Sequence, residues 1–264
     1  MNGVIRTDEW LLEDYKQPIQ LAKRIKDYFP NAEAEEIFAH LTKFGMTHSA
    51  ISKKRVQQMQ AAELWDITSK DYEELQHQWS GPEIPIFIFP SDTANYRLHK
   101  EFNGKAGLTF KDKAFLFLSE SNTKMEVKAL LTHEYNHVCR LEKCNKPEKQ
   151  YTLLDTIILE GMAEYAVFKR LGEEHTASYI GKYKDEVLHR FWTKYLSPEK
   201  GLQANTNKYY RLLYGSHFYP KMLGYCVGEY LVRTYANKHG LSLKELFAVK
   251  SEDIAETKTV APRD

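Results

Sequence analysis

The stretch Thr123–Leu141, TKMEVKALLTHEYNHVCRL, divides the chain, with short strand-like runs before it and a long helical remainder after it. Thr123 and Glu126 have the spacing of a capping box and predict a helix start. Val127, Leu131, Val138 and Leu141 then follow in 4-3-4-3 order if position 134 is counted, which defines one apolar helix face with Glu134 on it. A carboxylate on a buried face is costly unless it is paired or working, because it gives up its hydration. An exposed helix with solvated side chains at 133, 134 and 137 fits this stripe poorly.

Just N-terminal to this helix the helical period gives way. After the Ser80-Gly81-Pro82 break, Ile84–Phe89 (IPIFIF) is β-branched and aromatic and stops at Pro90, as a short strand does. Phe110–Leu118 (FKDKAFLFL) predicts a second strand after Gly104 and Gly107. Residues 1–80 are expected to be helical throughout. Asn31 precedes an acidic first turn (Glu33, Glu35, Glu36), Ile37, Leu41 and Phe44 follow at helical spacing, and Gly45 is placed to end that helix. Val56, Met59 and the Leu64, Trp65, Ile67 group predict a second helix. A third, capped by Thr68 with Asp71, is expected to carry Tyr72, Leu75 and Trp79. From Tyr151 onward the pattern is helical again. Strands followed by helices predict an α+β fold, mostly helical, with a small strand region preceding the Thr123–Leu141 helix. The expected organisation is an N-terminal helical region (1–80), a larger domain (81–250) that contains the Thr123–Leu141 helix, and a loose C-terminal tail (251–264).

Composition bounds the function. The 264 residues are 42% hydrophobic and 28% charged, enough to bury a full core. Lys plus Arg number 37 and Asp plus Glu 36, for a formal net charge of +1, so nothing draws the chain to nucleic acid. No apolar run has membrane-spanning length and the N-terminus is acidic and polar, so neither a membrane nor an export route is expected. Cys139, Cys144 and Cys226 form no C-x-x-C pair and are expected to be reduced, in a cytoplasmic protein.

Within the helix, His133-Glu134-Tyr135-Asn136-His137 carries the chemistry. Residues four apart lie on one face, about 6 Å apart along the axis, so two imidazoles can meet on one metal ion. Glu134 points about 100° round from His133 and can reach a water on that ion as general base. A chain of this composition contains an H-E-x-x-H match by chance about 0.04 times.

A catalytic zinc has three protein ligands and an open position. A third His six residues beyond His137 is excluded, because Lys143 stands there, and Arg140 replaces the Gly that spacing requires. Further on, Leu153, Leu154, Ile157, Ile158, Met162, Tyr165 and Phe168 mark a buried helix with Glu160 and Glu164 on one face. Twenty-two residues separate His137 from Glu160, enough to end one helix and return antiparallel. Gly161 is read as making room where helices come close. Glu160 is therefore the expected third ligand and Glu164 the carboxylate that orients an imidazole through its other N–H. Two solvated glutamates are the alternative.

HEYNH followed by LEGMAEY resembles the gluzincin pattern, in which a Glu from an E-G-x-A-type segment completes the site. More closely, about Ile84 to Val232 is similar to the bacterial YjaZ-like family of predicted zinc-dependent proteases, with Gly224-Tyr225-Cys226-Val227-Gly228 as a later G-Y-x-x-G segment. The resemblance implies His133, His137 and Glu160 as ligands of one zinc per chain and Glu134 as base. No G-x-M-E-N segment is found, which favours an endopeptidase or oligopeptidase over an aminopeptidase. A donor for the developing oxyanion is sought among Tyr214, His217, Tyr219 and Tyr225. The resemblance favours Tyr225, with His217 next. The expected partner is a peptide or protein substrate, which the strand at Ala114–Leu118 is suited to receive by edge addition or else buries as core. The alternatives are a zinc hydrolase of small amides or esters and a non-catalytic regulator that holds zinc. The sequence is silent on oligomeric state.

Overall fold

A computed structural model describes residues 3–144, 146–204, 206–216 and 218–256. The fold is α+β and mostly helical, in two compact units, Met1–Val138 and Cys139–Asp264. The expected boundary after residue 80 falls inside the first unit.

The first unit is built on a four-stranded sheet in the order β1-β2-β4-β3, from β1 (Gly3–Val4), β2 (Pro85–Pro90), β3 (Ala106–Phe110) and β4 (Lys113–Leu118). β1, β2 and β4 are parallel; β3 is antiparallel to β4 and forms one edge. β2 and β4 are buried at every position, which is why they read as apolar runs with little polar alternation. Phe87 stacks on Phe115 across the ladder (5.0 Å between centroids), and Tyr28 meets Phe87 edge-on.

Helices α1 (Thr7–Asp14), α2 (Ile19–Arg24), α3 (Ala34–Lys43), α4 (Lys53–Ala61) and α5 (Leu64–Trp79) precede β2, α6 (Tyr96–Phe102) precedes β3, and α7 (Lys124–Cys144) follows β4. The expected capping box opens α7, with Thr123 N–H donating to Glu126 and Glu126 N–H to Thr123. α7 is tied to α5 by stacking of Tyr135 on Trp79, by edge contact with Tyr72, and by an ion pair of 2.8 Å between Lys128 and the buried Asp71. The Tyr135 hydroxyl also donates to the carbonyl of Pro82 at 2.9 Å.

Three expectations need correction. Residues 1–80 are not helical throughout, because Gly3–Val4 extends and pairs with Pro85 and Ile86. Thr68 caps nothing: its hydroxyl donates to the Leu64 carbonyl one turn back inside α5, which runs unbroken after a left-handed Glu63. Phe110–Leu118 is not one strand, since a turn at Lys111–Asp112 folds Phe110 opposite Lys113. Of the two readings of Ala114–Leu118, the core strand is the one that holds, and the edge beside it is β3.

The division between the units falls inside α7, after Val138. The second unit continues with α8 (Leu153–Leu171), α9 (Asp185–Phe191), α10 (Asn207–Tyr214), α11 (Leu223–His239), α12 (Leu243–Leu246) and α13 (Ser251–Ala255). Thr152 and Asp155 form a capping box at the start of α8, and Gly172, at φ 98°, ends it. α8 and α11 meet backbone to backbone: a Cβ on Gly161 would lie 2.1 Å from the Gly228 carbonyl carbon, and one on Gly228 would lie 2.1 Å from the Ile157 oxygen. Gly161 thus makes room for α11, and the second glycine of the GYCVG segment is its counterpart.

Buried Arg140 donates to the carbonyls of Phe247 (2.8 Å) and Val249 (2.5 Å), satisfying acceptors that the end of α12 leaves open. The expected loose tail does not begin at 251. Ile254 is buried, and the buried Ser251 hydroxyl donates to Asp155 at 3.1 Å, anchoring α13 to the start of α8. Residues 257–264 of that tail lie outside the described residues.

Candidate metal centre

The apolar stripe of α7 fixes where its polar residues stand. His137 is buried and His133 half-buried, one helical turn apart, with ring centroids 4.6 Å from each other and planes at 86°. Glu134 is 6% exposed and turns toward β3. Thr109 donates its hydroxyl to Glu134 Oε2 at 2.7 Å and also stands 3.2 Å from the Glu134 carbonyl. Gly107, two residues back on the same strand face, leaves the space the carboxylate fills, for a Cβ there would lie 2.2 Å from Glu134 Cδ.

Glu160 stands on α8, next to the glycine against which α11 rests. The ligand atoms of His133, His137 and Glu160 all lie within 4.8 Å of one another. Donors on one tetrahedral ion bonded at about 2.1 Å stand about 3.4 Å apart, a spacing that falls within this limit. Two imidazoles and one carboxylate, with an acidic residue next to the first imidazole, are the donor chemistry of a catalytic zinc site, and the residues fit that ion. Among the described residues no other group of three or more His, Cys, Asp or Glu converges in this way.

α11 brings Tyr225 near Glu160, three residues before the Gly228 contact. Burial, then the Glu160 carboxylate and Tyr214, push the Tyr225 phenol well above its ordinary value. Its ring meets Tyr179 edge-on at 5.5 Å and Tyr214 at 5.9 Å. Tyr214 stacks in turn on the half-exposed Tyr210. Tyr219 turns elsewhere, against Tyr195. His217 lies outside the described residues.

Glu164 is buried on α8. It accepts the Ala177 N–H at 3.0 Å and stands 3.4 Å from the Tyr179 hydroxyl, which holds the segment after α8 against that helix. Burial and Glu164 raise the Tyr179 phenol strongly. Cys226 donates its thiol to the Tyr179 carbonyl, and burial pushes that thiol up to about 12, far from a reactive thiolate.

Sequence reasoning missed Thr109, Gly107, Tyr179 and the role of Gly228. Gly107 is expected only to precede a strand, whereas it lies within β3, whose alternation places positions 107 and 109 on one face and was the signal available.

A mostly helical α+β chain whose H-E-x-x-H helix and later Glu form a His₂Glu cluster falls in the class of candidate zinc metallohydrolases. The chain belongs to the family described as "Predicted Zn-dependent protease (DUF2268)", which matches residues 64–256. It is 38% identical over 236 residues to the "Uncharacterized protein YjaZ" of Bacillus subtilis (strain 168), a match covering 88% of this chain and 90% of that protein. No solved structure matches. No helix among the described residues is long and apolar enough to cross a membrane.

Proposed function

We propose that the protein is a gluzincin-type, zinc-dependent peptidase in which His133, His137 and Glu160 hold one zinc ion and Glu134 is the general base. The observation that carries this reading is the meeting of the H-E-x-x-H pair with Glu160, twenty-three positions beyond His137. Zinc, when bound, lowers the pKa of a water and polarises a carbonyl.

The chain's own residues supply the rest. Glu134 takes the proton of the attacking water and returns it to the leaving amine. Tyr225, which α11 brings beside Glu160, is the donor to the developing oxyanion. Glu164 holds Ala177 and Tyr179, and through the Tyr179 ring it keeps Tyr225 in place; orienting an imidazole is its second role in this reading. β3 offers an extended peptide its free edge, and main-chain pairing there suits a substrate chosen by backbone more than by sequence. Peptides or unfolded protein segments in the cytoplasm are the substrates on this reading, and the three free cysteines agree with that compartment.

Metal analysis of purified protein beside its His137→Ala and Glu160→Ala variants tests the ligand set. Wild type should hold about one zinc per chain and each variant should lose most of it. Equal metal in all three removes the assignment. Zinc retained with all four positions filled by protein would favour a structural role, and turnover of small amides alone would favour a non-peptidase hydrolase.

A further inference from the structure

The chemistry assigned to Glu134 requires its carboxylate to be aimed at one place, yet the helix alone leaves its χ angles free to choose among several rotamers. Two residues of β3 remove that freedom. Gly107 leaves a space that the Glu134 carboxylate occupies, and any side chain at 107 would collide with it, since a Cβ would lie 2.2 Å from both Cδ and Oε1. Thr109 closes the other side, its hydroxyl 2.7 Å from Oε2. The same hydroxyl stands 3.2 Å from the Glu134 main-chain oxygen, so one side chain fixes the carboxylate relative to its own helix turn.

We infer that Thr109 is a positioning residue for the general base, and that Gly107 is the vacancy which lets the base reach it. This inference rests on the reading of Glu134 as base. β3 has a second connection to the chemistry. In an antiparallel ladder residues alternate between those bonded to the partner strand and those facing away. With Phe110 opposite Lys113 closing a two-residue turn, Gly107 and Thr109 are the residues whose N–H and C=O face the free edge. A peptide strand added at that edge therefore pairs with the two residues that hold the base, so substrate placement and base placement share one short segment. A loop residue would be a looser support than this strand.

The test uses zinc-loaded full-length protein and the pair Thr109→Val and Thr109→Ser. Val keeps the shape and strand preference of Thr and removes only the hydroxyl; Ser keeps the hydroxyl. On a cleavable peptide, Thr109→Val should lower kcat about 10- to 100-fold with KM within about twofold, since a base misplaced by about 1 Å loses rate without losing binding. Zinc content should not change, and Thr109→Ser should recover most of the rate. Crystal structures of the three proteins give a readout independent of turnover. The Glu134 carboxylate should sit on the residue-109 hydroxyl in wild type and Thr109→Ser, and leave that position in Thr109→Val. Gly107→Ala should displace it by a different route; should that variant not fold, the Thr109 pair still decides. An unchanged kcat and an unmoved Glu134 in Thr109→Val overturn the inference, as does a Ser variant as slow as the Val variant. If zinc-loaded wild type cleaves no peptide, the peptidase reading fails, and the position of Glu134 in the three structures then decides the inference alone.

Discussion

Gly161→Ala is the substitution for which the fold makes the sharpest demand. On an exposed helix Ala is better than Gly by about 1 kcal/mol. Here the added Cβ would lie 2.1 Å from the Gly228 carbonyl carbon, 2.4 Å from its oxygen and 2.5 Å from the Glu229 nitrogen. All three are backbone atoms, so no side chain can swing aside. To reach ordinary contact at about 3.4 Å, α8 and α11 must separate locally by about 1.3 Å, and overpacking of this kind costs about 3 kcal/mol, the upper end of its usual range. After the propensity gain the net loss is about 2 kcal/mol, or about 4–8 °C in Tm for a chain of this size. Glu160 is the neighbour of position 161 and Tyr225 stands three residues before Gly228, so the same separation should lower zinc affinity and peptide hydrolysis. Calorimetry read against Gly201→Ala is the assay, because a Cβ on Gly201 meets nothing within 4 Å and that control should melt with wild type. A Gly161→Ala protein as stable and as active as the control would refute the close approach of α8 and α11.

Asp155 gives a pH prediction. Burial pushes its carboxyl up, but hydrogen bonds from Lys146 and Thr152 outweigh it and hold the group below its ordinary value of 3.8. A depressed carboxylate stabilises the fold above its unfolded pKa and loses that contribution as pH falls through the folded one. Asp155→Asn should therefore cost about 2 kcal/mol near pH 7, the scale of hydrogen bonds to a charged group, and the gap to wild type should narrow as pH falls below the carboxyl's ordinary value of 3.8 and close once the folded carboxyl is protonated; a gap that persists in strong acid contradicts the linkage. Tyr225→Phe should keep zinc and fold while lowering kcat about 10²- to 10³-fold, the usual loss for one oxyanion donor, and a variant with unchanged kcat removes Tyr225 from that role.

Much of this architecture could be read from local signals. The capping box at Thr123, the burial of Glu134 on its stripe, and the i, i+4 imidazoles follow from periodicity within one helix. What escaped depends on partners distant in sequence. Gly3–Val4 is too short to carry a period and is a strand only because Pro85 and Ile86 are beside it. The turn at Lys111–Asp112 is hidden between apolar runs that look continuous, so whether Ala114–Leu118 was edge or core stayed open until β3 was seen to form the edge. Thr109 lies twenty-five residues from Glu134, and Gly161 sixty-seven from Gly228. The sequence showed that Gly161 needed space, but only the packing of α8 on α11 identifies what occupies it.

The central claim is that Glu134 moves the proton without holding the metal. Glu134→Gln keeps the shape and hydrogen-bonding capacity of the side chain and removes its basicity. The decisive measurement is the rate at which this variant, with its zinc content determined in the same sample, cleaves a quenched peptide library relative to wild type. The account predicts about one zinc per chain, and a rate lower by at least the 10²- to 10⁴-fold typical of a general base. A zinc-loaded Gln variant that cleaves as fast as wild type would contradict it.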